Sequence, residues 1–259
     1  MKIGVGQQNE DIHKMKRDLP YLNDVKYFDY AFDVFKRYFK NRKAFETFFN
    51  AIRNEEEKDK FLQIASFYKF LVKDGNFVFD DASLRPVVDY YIDYIDENYK
   101  YIAIFALIEC LIGESDFVEF YNWLLQNHDF NETPIASKTK LRNLYAKYLK
   151  EFGTTQKAIT FFSSLDPDSK KLIEAKVNIR DGSSSSSLEV LAELLYEIRS
   201  EFVHKAKLVL EFGKNAVIST RNKKRIFTKL TIQDLGELLE RGVLLYFGYS
   251  SSLPPLSGK

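Results

Sequence analysis

Apolar residues recur at intervals of three and four along almost the whole chain, and strict alternation is rare, so the pattern predicts helices rather than strands. Val25, Phe28, Phe32, Phe35 and Phe39 form one stripe between lysines, arginines and aspartates. That stripe predicts a first helical stretch from about Asp24 to Asn54, broken near Asn41. A second helix is expected from about Glu56 to Val72, before the turn at Asp74-Gly75. A third is expected from Arg85-Pro86, with Ser83 as its cap. Its continuation at Tyr101–Ile112 is apolar on nearly every side and predicts a central buried segment.

Beyond it, helices are expected over GESDFVEFYNWLLQN, over the basic amphipathic stretch Ser137–Phe152 closed by Gly153, and over TTQKAITFFSSL. DPDSKKLIEAKVNI predicts another, with Asp166 as cap and Pro167 in the first turn. Five consecutive serines read as a polar connection with Ser187 as a cap, followed by a helix over about Leu188–Phe212. Helical period is lost between Gly213 and Thr231, a loop or a short hairpin. Thr231 with Asp234 then starts a last helix. The fold class is all-α: a helical bundle with an N-terminal helical region over 1–130, a second helical domain over 131–250, and a tail over 251–259 expected to be disordered.

Charge changes this picture little. Lysine and arginine number 38 against 37 acids, so no global attraction to nucleic acid or anionic lipid follows, and any such attraction must be local. The one cysteine, Cys110, excludes an internal disulfide, suits a reducing cytoplasm and, in its apolar run, is expected to be a buried thiol. No apolar run has signal-peptide character or the length of a bilayer span, so neither export nor a membrane partner is expected. The three histidines, His13, His128 and His204, are far apart. No Cys or His spacing suits zinc, and no metal or other cofactor is implied.

Chemistry concentrates in LLYEIRSEFVHKAK, residues 194–207. At 100° per residue, Leu191, Leu195, Ile198, Phe202, Ala206 and Val209 share a sector of about 80°, which predicts the buried face. His204 points away from that face, beside Glu197 and Ser200, while Arg199 lies at its rim, about 140° from His204. The pair serves one site only if the arginine swings round or a second subunit supplies its own pair. A near-neutral imidazole moves protons at physiological pH, and a guanidinium grips phosphate oxygens with two hydrogen bonds. Together they suit metal-independent cleavage of RNA, in which a deprotonated 2′-OH attacks the adjacent phosphorus. By spacing alone, a solvated histidine beside Glu197 and Glu201 is the plainer reading.

The words around the pair resemble the HEPN superfamily, including its abortive-infection-like members, whose mark is R-x4–6-H on a helix of an all-α bundle with a small polar residue after the arginine. Arg199, Ser200 and His204 are the matching residues, and LTIQDLGELLERGVLLYF follows at a suitable distance. The resemblance covers residues 188–249 and reaches back as far as the helix at Ser137. It implies a HEPN-like bundle of four to five helices and an endoribonuclease whose cleft forms between two copies, in a toxin or phage-defence setting with a protein antitoxin or regulatory partner. In that frame His204 is the acid/base, Arg199 the phosphate ligand and Ser200 a support. Some members act instead as non-catalytic dimerisation or nucleotide- and RNA-binding modules. A subgroup regulated by adenylylation carries tyrosine two residues after the histidine, where this chain has Ala206, so that control does not carry over.

A local basic excess lies next to the motif. Between Val203 and Leu230, Lys205, Lys207, Lys214, Arg221, Lys223, Lys224, Arg225 and Lys229 face a single acid, Glu211. Lys205, Lys207, Arg221, Lys223, Lys224 and Arg225 are the candidate track for an RNA backbone, through sequence-blind and salt-sensitive contacts.

Overall fold

The computed structural model describes residues 19–75, 85–113, 120–127, 138–179, 187–205, 217–219 and 225–256. These form an all-α helical bundle to which one small three-stranded sheet is attached.

The first expected helical stretch divides where its capping residues stand. Helix α1 (Val25–Phe35) starts at Asp24, whose carboxylate accepts the Lys26 N–H, and ends in a short 3-10 turn. Helix α2 (Arg42–Ala51) starts at Asn41, whose side chain accepts from the Ala44 N–H at 2.9 Å. Asn54 caps α3 (Glu55–Tyr68) in the same way, with Glu55, Glu56 and Glu57 in its first turn at the positive end of the helix dipole. The α3 pattern then widens into a π-helical turn over Lys69–Lys73.

Helix α4 (Arg85–Ile112) runs 28 residues, and its second half is the expected central segment. Tyr101, Ile104, Phe105, Ile108 and Leu111 are buried there. Cys110 corrects its expectation: its side chain is exposed, on the strip of α4 that faces the groove beside α3, so the thiol is not a core residue. Partial burial still raises its pKa, against the pull of the Lys60 charge.

Helices α5 (Phe120–Asn127), α6 (Lys138–Phe152), α7 (Thr154–Ser164), α8 (Pro167–Lys176), α9 (Ser187–Lys205) and α10 (Ile232–Tyr246) complete the bundle. Gly153 separates α6 from α7 in an extended conformation at φ −69°, so it ends α6 without a left-handed cap. Asp166 caps α8 and Pro167 opens it, as expected. That helix stops at Lys176, because Val177–Ile179 leave it to become strand β1. Ser187 is the first residue of α9 rather than its cap, and its hydroxyl donates back to the Val177 carbonyl. Ser83, the first turn of the expected GESDFVEF helix and residues 206–212 of the helix expected to end at Phe212 lie outside the described residues.

Of the loop and the short hairpin left open between Gly213 and Thr231, the described residues show paired strands, β2 (Val217–Ser219) antiparallel to β3 (Arg225–Thr228), with Ile218 opposite Ile226. β1 pairs with the other edge of β3, Asn178 opposite Phe227, giving the order β1-β3-β2. Helical periodicity hid β1, since three residues are too few to show alternation.

The main core is continuous from Ala31 to Phe247 and crosses position 130. Phenylalanines dominate its α1–α3 end: Phe35 stacks on Phe61 at 5.2 Å, and Phe39, Phe45 and Phe48 pack round them. Helix α4 is the hub, touching α3, α7, α9 and α10, and α7 packs along α9. Trp123, Leu124 and Tyr148 form a second, smaller cluster between α5 and α6. The tail corrects its expectation at 251–256: Leu256 is buried and Leu253 packs on the main core. Among the described residues no helix is long and apolar enough to cross a membrane.

Candidate functional site

Helix α9 enters the bundle buried on most sides and leaves it at the motif. Val190, Leu191, Ala192, Leu194, Leu195 and Ile198 are all buried, and Ile198 is the last of them. From Arg199 onward every described side chain is half-buried or exposed, including Phe202 on the predicted core face and Val203 at 53% exposure. The motif therefore occupies the two turns by which α9 emerges from the core.

Within those turns the three residues fall on two sides. Ser200 and His204 are one turn apart and about 40° apart, so they share a face, with His204 exposed and Ser200 half-buried. Arg199 lies about 140° and about 7.5 Å along the axis from His204 and turns toward α4. Its Nε stands 3.9 Å from Oε2 of Glu109, with both side chains partly exposed. One chain thus brings Ser200 and His204 together and holds Arg199 apart.

Of the basic track, Lys205 is exposed and pairs with Glu201 one turn back at 2.6 Å. Arg225 opens β3 opposite Ser219. Lys207, Arg221, Lys223 and Lys224 lie outside the described residues. The base of the hairpin is firmly held: the Lys229 N–H donates to the Lys176 carbonyl at 2.8 Å, and Lys176 Nζ grips both carboxylate oxygens of Asp234 at 2.7 and 2.8 Å. Asp234 also completes a capping box with Thr231 at the start of α10.

A second polar constellation was not foreseen. Glu237 and Glu240, 6% and 2% exposed, sit on the inner side of α10 beneath Arg37 and Lys73. Glu240 Oε2 lies 2.7 Å from Arg37 Nη2 and its Oε1 3.0 Å from Lys73 Nζ, while Glu237 Oε1 is 3.4 Å from Arg37 Nη1. Arg37 also donates to the Tyr38 hydroxyl and covers its ring. Burial, reinforced by the Glu240 charge, pushes the Tyr38 and Tyr68 hydroxyls well above the ordinary phenol range, so both stay protonated donors. A cavity of about 280 Å³ opens beside Arg37, Tyr68, Lys73, Gln233 and Glu237. Two carboxylates balance two cations here, which suits a clamp joining α10 to the α1 and α3 ends better than a site for a charged ligand. The signal available in the sequence was the pair of acids in LGELLERGVLLYF, a stretch whose one other charge is Arg241.

Compared with family models, with curated proteins and with solved structures, the chain matches none.

Proposed function

We propose that the chain is a HEPN-type, metal-independent endoribonuclease that cuts single-stranded RNA when two copies pair their α9 ends. The observation that carries this reading is the emergence of α9 at Ile198, which leaves Arg199, Ser200 and His204 accessible on the last two turns. A two-fold partner supplies what one chain lacks, since Arg199 and His204 of a single copy diverge by about 140°. In such a pair one His204 takes the proton of the 2′-OH, and the oxygen attacks phosphorus. The bond to the 5′-oxygen breaks, and the second His204 returns a proton to that leaving oxygen. Arg199 meets the charge that develops on the phosphoryl oxygens, and Ser200 orients His204 from one turn away. The products are a 2′,3′-cyclic phosphate and a 5′-hydroxyl. A toxin or phage-defence setting, with a protein partner that restrains cutting, belongs to the same reading and rests on the resemblance alone.

The test is cleavage of single-stranded RNA by the purified chain in EDTA, with end-group analysis. Arg199→Ala and His204→Ala are expected to lower the rate by roughly 10²–10⁴-fold. Unchanged cutting by both variants would sink the reading. A second reading, a non-catalytic helical module, is favoured by the Arg199–Glu109 contact, which gives the arginine a structural role across α9 and α4.

A further inference from the structure

One side of α6 carries apolar side chains that stay well exposed, although one of them, Tyr145, meets the Phe120 ring of α5 edge-on at 5.1 Å. Leu141, Tyr145 and Leu149, spaced four apart, are 39%, 46% and 43% exposed and make a stripe about 12 Å long. The neighbouring sector of the same helix is already occupied, since Leu144, Tyr148 and Phe152 pack with Phe120 and Trp123 of α5. Helix α5 adds Tyr121 and Leu125, one turn apart and likewise exposed, and no charge of its own. Two exposed cations, Lys138 and Arg142, lie beside the stripe on the helical wheel, whereas Lys140 and Lys147 lie about 140–160° from its centre. Over residues 138–152 the sequence holds these four and Lys150 against the single acid Glu151, in a chain whose overall charge is only +1.

We infer that this face of α6 is a docking surface for an amphipathic helix of a protein partner, one whose apolar residues repeat at three- and four-residue spacing between acidic flanks. Leucines and a tyrosine at helical spacing are what a helix-in-groove contact uses, and the basic border selects an acidic partner and speeds its encounter. Other occupants fit less well. A second copy presenting the same face would set like charges against each other. An RNA strand needs aromatic platforms, and two of the three stripe residues are leucines, which do not stack on bases. A membrane surface calls for a long, wide apolar face, whereas α6 has already committed half of its apolar sector to α5. The inference is independent of the nuclease reading, because α6 contains no motif residue.

The full-length chain and a labelled synthetic helix with leucines at three- and four-residue spacing and glutamate flanks, read by fluorescence anisotropy, test it. A matching helix with lysine flanks is the control. Saturable binding is expected for the acidic helix alone, weakening with salt and falling at least tenfold in Leu141→Ser/Leu149→Ser and in Lys138→Glu/Arg142→Glu. Lys138 and Arg142 are exposed, and circular dichroism checks that their substitution leaves the helices intact. No binding of the acidic helix, equal binding of both helices, or variants that bind like the wild type would overturn the inference. So would tighter binding of poly(U) or phosphatidylserine vesicles, or self-association, abolished by the same substitutions.

Discussion

Arg241 on α10 holds Asp166, the cap of α8, through two hydrogen bonds, Nε to Oδ2 at 2.9 Å and Nη2 to Oδ1 at 2.7 Å. Its remaining nitrogen, Nη1, donates to the Pro254 carbonyl at 2.6 Å, so one buried guanidinium ties the last helix to an earlier helix start and to the tail. Arg241→Met should cost about 3–5 kcal/mol, because Asp166 is left without its charged partner and Pro254 without its donor. Urea unfolding of the two chains checks the figure.

The same pair predicts an acid limb. Burial alone would raise the Asp166 carboxyl, but the hydrogen bonds from Arg241 and Ser169 outweigh it and hold the pKa at about 2. A carboxyl depressed in the folded state contributes stability that is present above its unfolded value near 4 and is lost as pH falls toward 2. The stability of the wild type should therefore decline over that window, and Arg241→Met should decline less steeply there. Parallel slopes in a pH series of denaturant titrations would contradict this assignment.

Removing Arg37 tests the α10 clamp. Arg37→Leu leaves Glu240, 2% exposed, with Lys73 as its charged partner and should destabilise by about 3 kcal/mol at neutral pH. Urea unfolding of the wild type and the variant at neutral pH measures the deficit.

Two glycines of α10 mark where neighbouring helices come closest. A Cβ at Gly242 would fall inside the Phe161 ring of α7, and one at Gly236 would lie 2.5 Å from the Tyr68 hydroxyl of α3. Gly242→Ala and Gly236→Ala should each cost about 1–3 kcal/mol through overpacking, despite alanine's better helix propensity. Gly242 should suffer more, because an aromatic ring in the core yields less than a hydroxyl. Thermal melts rank them.

Glu109 competes with phosphate for Arg199 in the nuclease reading. On a His204→Ala background, where RNA stays intact, Glu109→Ala should tighten single-stranded RNA binding several-fold while changing stability by less than about 1 kcal/mol, as befits a partly exposed pair. Unaltered RNA affinity would favour a purely structural arginine.

Much of the architecture could be read from residue spacing, because capping side chains announce helix starts locally. Asp24, Asp166 and the Thr231–Asp234 box all act at their own termini, within reach of a sequence reading. What escaped it depends on partners far along the chain. Nothing near Glu240 reveals that Arg37, two hundred residues earlier, neutralises it, and a glutamate on a helix reads by default as solvated. Cys110 was misread because an apolar run does not tell which strip of a helix its neighbours leave open, and the tail was misread because its anchor is Arg241. At the motif, the divergence of Arg199 and His204 followed from helical geometry alone, whereas the Glu109 contact required the fold.

The chain's single indole belongs to the α5–α6 cluster, not to the phenylalanine-rich main core. Its emission consequently reports on one thin layer of the molecule, whereas far-ultraviolet ellipticity averages over every helix. Overlaying the two signals in one denaturant series asks whether that layer melts with the rest or lets go first, with no label or substitution needed.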